Sequence, residues 1–387
     1  MLKTVFIAGI SGSIGKQALE VLNKDWFIDN FKIVGGSVYS NWEMLKDVID
    51  KYYLKAVALV KESFEVPSTY HGCMIFKGET SVEKAIEYCN ADISIIATSG
   101  FSGLRHTLKS LEVSKRICLA NKESIVSGGN FILNNAYKKE KELIPIDSEH
   151  SAIFQLLLGE SSKPEKIIIT ASGGALRDEP IDQLEHAPID KVLKHPVWSM
   201  GKRITIDSAT MVNKGLEVIE AFHLFRTKNI TVAINRESRI HSMVQFTDGV
   251  IKMHYGLADM RIPIAFSLSY PQRKYYFDKP DFFSEKIDFH KVDFKRYPAL
   301  KLALDILGIE FLQNAYNAAD EVAVNSYLKG EIIFGDIYRI IYSTVNEIQQ
   351  TFSYENESLK FTSLDDILKV DKLSREIAKK YVLEVKK

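Results

Sequence analysis

The sequence predicts an α/β chain in three parts: an N-terminal Rossmann-like doubly wound parallel sheet, a central α+β domain and a C-terminal helical bundle. Three observations predict it. β-branched runs alternate with segments of 3.6-residue periodicity through the first 146 residues, the middle third carries two alternating runs around a turn, and amphipathic patterns alone fill the end.

In the first part the strand runs are Thr4–Ala8, Lys32–Val38, Ala56–Val60, Asp92–Ala97, Arg116–Ala120 and Glu142–Ile146, with helical periodicity at Lys16–Leu22 and Trp42–Asp50. Strands separated by helices must pair in parallel through crossovers. Further strands are expected at Lys166–Ile169 and Arg203–Ile206, and a helix from Ala209 to Phe225. Ile240–Phe246 and Val250–His254 flank Thr247-Asp248-Gly249, a hairpin signal. From Pro271 to Tyr297 the chain is rich in Lys, Asp, Phe and Pro and poor in periodicity, as a connecting segment is. Ala299–Leu307, Ala318–Leu328, Gly335–Ile348 and Ser363–Ala378 read as amphipathic helices. The resulting divisions are 1–148, 149–270, 271–298 and 299–387.

Composition narrows the function. The 387 residues amount to roughly 2.6 domains of about 150 residues. Lys plus Arg and Asp plus Glu both number 50, so the net charge is 0 and the broad positive field of a nucleic-acid binder is missing. No run approaches the roughly 18 apolar residues of a membrane span, and the opening MLKTVFIAGISGSIG breaks too early for a signal peptide. A soluble protein with neither nucleic-acid nor membrane partners is expected. Cys73, Cys89 and Cys118 lack disulfide or zinc spacing, which fits a reducing cytoplasm.

Gly9-Ile10-Ser11-Gly12-Ser13-Ile14-Gly15 follows the first strand and precedes a helix, where glycines allow backbone N–H groups to approach a pyrophosphate. The place where a NAD site carries an acid reads Val38-Tyr39-Ser40-Asn41. Without a carboxylate to repel a 2′-phosphate, and with Ser40 and Asn41 as donors, NADP is favoured over NAD; the same residue types also cap helices.

Asp147-Ser148-Glu149 ends another strand, on the side where open parallel sheets collect ligands. In the segment Asp207 to Glu217, a helix sets Asn213 and Glu217 at i,i+4 and Lys214 and Glu217 at i,i+3, on one face. Asp147, Glu149 and Glu217 are oxygen donors suited to Mg2+ or Mn2+, although a helix cap and a surface Lys–Glu pair account for the same acids. Thr170-Ala171-Ser172-Gly173-Gly174 follows a strand and offers a hydroxyl and flexible N–H groups, joined by Ser208, Asn213 and Lys214 as a phosphate cradle or, more plainly, a chain turn. Lys194-His195-Pro196-Val197-Trp198-Ser199-Met200-Gly201 has the composition of a lid over a small substrate.

With these residues the chain resembles the 1-deoxy-D-xylulose 5-phosphate reductoisomerases of non-mevalonate isoprenoid biosynthesis. The strings that carry the resemblance are GISGSIG, LANKES at 119–124, PIDSEHSAIFQ at 145–155, ASGGALR at 171–177, KHPVWSMG at 194–201, TIDSATMVNKGLEVIEA at 205–221, DMRIPIA at 259–265 and NAADEVAV at 317–324. It implies an NADPH-binding domain at 1–148 and a catalytic domain at 149–270 whose mobile lid is 194–201. It implies that Asp147, Glu149 and Glu217 bind one divalent cation, with Lys122 beside it, and that Ser148, Glu149 and Lys122 hold the reacting end of the sugar phosphate. Ser172, His195, Ser208, Asn213 and Lys214 are implied at the phosphate, with Trp198 and Met200 in the lid. Ser11, Gly12, Ser13, Ile14, Asn121, Glu123 and Gly201 are implied to contact NADPH. Tyr39-Ser40-Asn41 departs from the Gly-Lys/Arg-Asn of many members, keeping the asparagine and losing the cation. The implied reaction is isomerisation of 1-deoxy-D-xylulose 5-phosphate to a branched aldehyde, then reduction to 2-C-methyl-D-erythritol 4-phosphate, by a homodimer. A metal-assisted hydroxy-acid dehydrogenase would share the glycine turn and acids but needs a cationic clamp for its carboxylate substrate. A nucleotide-sensing protein would bind NADPH without consuming it.

Overall fold

The structure, a computed structural model, describes residues 2–62, 65–198, 200–274, 278–281, 283, 286–353 and 360–386. Ser199 of the expected lid and residues 275–277, 282, 284 and 285 of the expected connecting segment lie outside the described residues. The chain forms two compact units interleaved in sequence: residues 1–124, 132–151 and 259–278 make the first, and residues 125–131, 152–258 and 279–387 the second.

The first unit is built on eight strands: β1 (Lys3–Ala8), β2 (Phe31–Val38), β3 (Ala56–Leu59), β4 (Thr69–Tyr70), β5 (Cys73–Lys77), β6 (Ile93–Ile96), β7 (Arg116–Leu119) and β8 (Glu142–Pro145). Their spatial order is β4-β5-β3-β2-β1-β6-β7-β8, parallel throughout except for the β4–β5 edge pair. Strand order reverses between β1 and β6, which opens a crevice at their carboxyl ends. β1 is buried on both faces from Val5 to Ala8, as a central parallel strand must be. Helices α1 (Ser13–Leu22), α2 (Asp25–Asn30), α3 (Trp42–Tyr52), α4 (Ser81–Cys89) and α5 (Gly103–Val113) connect the strands. α1 turns Ala18, Val21 and Leu22 into the core with Val5, Ile7 and Ile33.

The edge pair β4–β5 is absent from the sequence reading. Its turn residues, His71 at φ 46° and Gly72 at φ 80°, make a tight hairpin from two strands too short to show alternation. α11 (Arg261–Ser269), in the stretch the sequence pattern gives to the central part, packs into the core of the first unit through Ile264, Ala265 and Leu268. Arg116 fixes its end. The guanidinium donates to the carbonyls of Ser267, Leu268 and Tyr270 at 3.2, 2.8 and 2.9 Å and to Glu142 Oε2 at 2.7 Å, satisfying helix-end carbonyls that would otherwise be orphaned.

The second unit carries a five-stranded mixed sheet in the order β12-β11-β9-β10-β13, from β9 (Lys166–Ala171), β10 (Ile230–Ile234), β11 (Ile240–Gln245), β12 (Ile251–Tyr255) and β13 (His290–Lys291). β11 and β12 form the expected hairpin. The expected strand Arg203–Ile206 is instead part of a helix, α9 (Lys202–Thr210). Its β-branched residues imitate a strand, but Thr205, Ile206, Asp207 and Ala209 are buried at helical spacing and Arg203 pairs with Asp207 one turn on, at 3.6 Å, so packing overrides local propensity. Met211, at φ 60°, then breaks the chain, and α10 (Val212–Phe225) starts in a new direction.

The end of the chain is the expected helical bundle: α12 (Pro298–Asp305), α13 (Glu310–Leu328), α14 (Phe334–Ser353) and α15 (Leu364–Val385). α13 begins eight residues before its legible pattern (from Glu310 instead of Ala318), because it is buried almost all round and its polar residues are satisfied internally. Gln313 Oε1 meets His223 Nε2 at 2.7 Å, Asn317 Nδ2 donates to Ser127 Oγ at 3.3 Å and Asp320 pairs with Arg203 at 3.4 Å. Glu310 accepts the Asn130 N–H at 3.0 Å, where Gly129 adopts φ 41° inside α6 (Lys122–Lys138). A Cβ on Gly129 would lie 2.8 Å from Glu310 Oε1. No helix among the described residues is long and apolar enough to cross a membrane.

Replacing Arg116 by Leu strips three helix-end carbonyls, two of them buried, of their donor and should lower stability by about 3 kcal/mol or more. The urea midpoint of the variant measures this; an unchanged midpoint would show that α11 docks without the guanidinium.

Candidate active site

In the first unit the glycine turn is shaped by contacts that tolerate nothing larger. Gly9 has φ 84°, and a Cβ there would fall 2.7 Å from the Ala97 carbonyl oxygen, while one on Gly15 would fall 2.3 Å from the Gly9 oxygen. The Gly9 and Ile10 N–H groups bond to the hydroxyl and carbonyl of Ser37, both at 2.9 Å, tying the turn to β2. Gly12 is the N-cap of α1 and supplies no side-chain cap, and the first turn holds no acid. That leaves a helix N-terminus open to an anion, beside Ser11, Ser13 and Ile14.

Asn121 and Glu123 brace the next loop of the same crevice. Asn121, nearly fully buried, caps α6 through the Ser124 N–H and donates to the Thr98 and Gly100 carbonyls at 2.8 and 3.0 Å and to Glu123 Oε2 at 2.9 Å. Glu123 Oε1 accepts the Gly100 N–H at 2.8 Å. The segment after β6 is thereby fixed to the start of α6. At the end of β2, Tyr39, Ser40 and Asn41 are exposed, and Asn41 Oδ1 accepts the Met44 N–H at 3.1 Å as the cap of α3.

Also in the first unit, Asp147 follows β8 and Ser148 opens α7 (Ser148–Leu156). The buried Lys122 ammonium stands 2.6 Å from Asp147 Oδ2, a charge contact whose angles are not those of a hydrogen bond, and His150 Nδ1 is 3.7 Å from the same oxygen. Ser148 Oγ donates to Glu149 Oε2 at 2.5 Å. Thus Lys122, Asp147, Ser148 and Glu149 form one cluster at the carboxyl ends of neighbouring strands.

The second unit gathers the remaining candidates. β9 ends in Ser172-Gly173-Gly174, with both glycines at positive φ, and a Cβ on Gly174 would come 2.5 Å from the Ser208 carbonyl oxygen. The loop therefore lies directly on α9. Ser172 Oγ accepts the Gly174 N–H at 3.2 Å and meets His195 Nε2 at 3.1 Å. His195 Nδ1 accepts the Val197 and Trp198 N–H groups at 3.1 and 2.9 Å, so its proton is on Nε2 and the ring is neutral. Burial, with the charges of Arg177 and Lys214, lowers its pKa to about 4. On α10, Glu217 accepts from Asn213 Nδ2 and meets Lys214 Nζ, each at 2.5 Å, with Lys214 and Glu217 both buried. Trp198 stands 6.5 Å from the His241 ring, Met200 is half-buried, and Gly201 caps α9.

Three supporting residues carry no role in the sequence reading. Arg177 donates to the Ser172 and Arg236 carbonyls at 2.9 and 3.2 Å, and Tyr297 donates to the Gly173 carbonyl at 2.8 Å, its phenol pushed up to about 12 by burial. Arg177 lies inside the ASGGALR string and was within reach of the motif, whereas Ser37 reads only as one residue of the strand run Lys32–Val38 and Tyr297 lies in the segment without periodicity.

Comparison with known proteins agrees across the whole chain. Residues 5–129 match the family described as 1-deoxy-D-xylulose 5-phosphate reductoisomerase, and residues 143–225 and 255–377 match its two C-terminal domain families. The reductoisomerase of Thermotoga neapolitana is 43% identical over 381 residues, covering 98% of this chain and 96% of that protein; that of Listeria monocytogenes (strain EGD-e) is 38% identical over 388 residues, covering 98% and 99%. A crystal structure of DOX-P reductoisomerase with NADPH, fosmidomycin and magnesium superposes with a TM-score of 0.90 at 31% identity over all of both chains. The Zymomonas mobilis enzyme with NADPH gives 0.85 at 31% over 99% of each.

The neutral His195 predicts its own titration. Because its folded pKa, about 4, lies below the ordinary value, protonation favours the unfolded chain. The contribution to stability is complete above about pH 6.5 and is lost as pH falls towards 4. An NMR titration placing His195 near 6.5 would contradict the two amide bonds to Nδ1.

Proposed function

The chain belongs to the 1-deoxy-D-xylulose 5-phosphate reductoisomerase family, and from that premise we propose how its own residues divide the reaction. The protein converts 1-deoxy-D-xylulose 5-phosphate to 2-C-methyl-D-erythritol 4-phosphate with NADPH and a divalent cation, in the supply of isoprenoid precursors. The observation that carries the assignment of residues is the pair of carboxylates held ready against buried ammonium groups, the part-buried Asp147 by Lys122 at 2.6 Å and the buried Glu217 by Lys214 at 2.5 Å.

Asp147, Glu149 and Glu217 are the ligands of Mg2+ or Mn2+. Their donor set fits the ion, since hard divalent cations take carboxylate oxygens and leave positions open for substrate. When bound, the cation supplies Lewis-acid polarisation of neighbouring substrate oxygens. NADPH, when bound, supplies the hydride for the reduction.

The protein's side chains do the remaining work. Ser172, Ser208, Asn213, Lys214 and His195 bind the phosphate group, whose binding energy, remote from the reacting carbons, holds those carbons in register. The neutral His195 donates from Nε2, and its Nδ1 bonds fold the Val197–Trp198 backbone over the cradle as a lid that excludes water. Lys122 stabilises negative charge on a substrate oxygen, and Ser148 orients a substrate hydroxyl. The glycine turn with Ser11, Gly12, Ser13 and Ile14 binds the pyrophosphate of NADPH, with Asn121, Glu123 and Gly201 contacting the nicotinamide half and Tyr39, Ser40 and Asn41 the adenosine ribose. Residues 1–148 bind the cofactor and add Lys122, Asp147 and Ser148 to the site, 149–270 carry the remaining catalytic groups and the lid, and 299–387 form the helical domain.

We further infer a cytoplasmic homodimer. Free thiols suit a reducing compartment: Cys73, Cys89 and Cys118 are unpaired and buried, and burial raises their pKa values to about 12, 12 and 11. Sedimentation equilibrium reading a single 43.9 kDa chain would remove the dimer.

The deciding assay follows NADPH absorbance after addition of Mg2+ and 1-deoxy-D-xylulose 5-phosphate, with and without chelator. A fall abolished by chelator is expected; no fall with folded, NADPH-bound protein would reject the activity. Loss of partners behind metal ligands already costs about 10–100-fold, so Glu217→Gln should cut turnover by more than about 100-fold while leaving NADPH affinity unchanged. A parallel loss of NADPH affinity would refute the ligand role.

A further inference from the structure

NADPH differs from NADH by a 2′-phosphate that carries close to two negative charges at neutral pH, and binding it without a cation forgoes the strongest available interaction. The corner that faces the adenosine ribose, Tyr39-Ser40-Asn41, offers none. Asn41 spends its Oδ1 on the cap of α3, leaving Nδ2 as a neutral donor, and Ser40 adds a neutral hydroxyl. Lys46 of α3 is held by Glu43 at 2.7 Å.

The adjacent strand supplies what the corner lacks. β2 and β3 run parallel in register up to Val38 and Leu59, and the pairing continues past both strand ends: the Val60 N–H donates to the Val38 carbonyl at 3.1 Å and the Lys61 N–H to the Tyr39 carbonyl at 2.7 Å. This last bond sets the Lys61 backbone directly beside the Tyr39–Ser40 peptide. Lys61 is exposed, and its ammonium makes no ion pair among the described residues. Its acidic neighbour, Glu62, is turned onto the next turn, with Oε1 at 2.6 Å from where a Cβ of Gly78 would stand, and so does not neutralise it.

We propose that Lys61, at the end of β3, is the cation that recognises the 2′-phosphate of NADPH and sets the preference for NADPH over NADH. The proposal rests on the placement of the dinucleotide at the glycine turn of the first unit. The charge that a motif search looks for at position 40 is delivered from a neighbouring strand, twenty-one residues later in sequence (61 against 40).

Calorimetry on the full chain with two fragments, 2′,5′-ADP and 5′-AMP, isolates the phosphate. Lys61→Ala is expected to weaken 2′,5′-ADP about tenfold, or about 1.4 kcal/mol, with 5′-AMP unchanged and the KM for NADPH rising in step while that for NADH stays put. Adding Ser40→Arg to Lys61→Ala should restore 2′,5′-ADP affinity, because a guanidinium at that corner replaces the lost charge. Unchanged 2′,5′-ADP affinity in Lys61→Ala overturns the proposal, as does an equal loss for both fragments. Gly12→Asp, which adds a favourable cap to α1 but sets a carboxylate where the pyrophosphate lies, tests the placement separately. If it leaves both NADPH and NADH affinities intact, the dinucleotide is elsewhere and the assignment of Lys61 falls with it.

Discussion

Ionised side chains out of water must find partners inside the protein, and meeting that demand organises both units of this molecule. In the first, Lys122 and Asp147 bring the start of α6 against the end of β8, and Arg116 spends its whole guanidinium on Glu142 and the last carbonyls of α11. In the second, Lys214 and Glu217 share one turn of α10, while Arg203 joins α9 to Asp320 of α13. A carboxylate set against an ammonium in this way is fixed in place. Fixed carboxylate oxygens are the donors that hard divalent cations take, which is the ground for the ligand set proposed above.

The parallel sheet of the first unit decides where such groups can act. Its strands deliver the glycine turn, the loop braced by Asn121, the lysine of α6 and the acids Asp147 and Glu149 to their carboxyl ends, where helices start and N–H groups are free to meet anions. The mixed sheet of the second unit does the same by other means. β9 stops at Ala171, two glycines take up left-handed conformations, and Gly174 lets the Ser172 loop settle on α9 with no Cβ between them. His195 then joins Ser172 on one side to the Val197–Trp198 backbone on the other, so one neutral ring couples the loop after β9 to the segment that precedes α9.

Local chemistry made most of this legible. The glycine spacing, the strand-ending acids and the Asn213-Lys214-Glu217 spacing each depend on residues within one turn or one strand, and they occur where their patterns place them. Patterns failed where burial reversed them. Arg203–Ile206 has the β-branched content of a strand but is wound into α9 by contacts with α13, and the first half of α13 hides its periodicity behind Gln313, Asn314 and Asn317, polar residues whose partners lie far away in sequence. The β4–β5 pair is too short for any pattern to register.

The sequence by itself determined the family, the alternation of strands and helices, and the local spacing of the candidate site groups, because these reside in short strings whose side-chain chemistry and spacing need no distant partner. Only the tertiary structure decided the protonation of His195, the bracing of the Ser172-Gly173 loop by Arg177 and Tyr297, the return of residues 259–278 to the first unit, and the position of Lys61 beside Tyr39. Each of these depends on which segments become neighbours once water is excluded, and a linear order of residues does not contain that information.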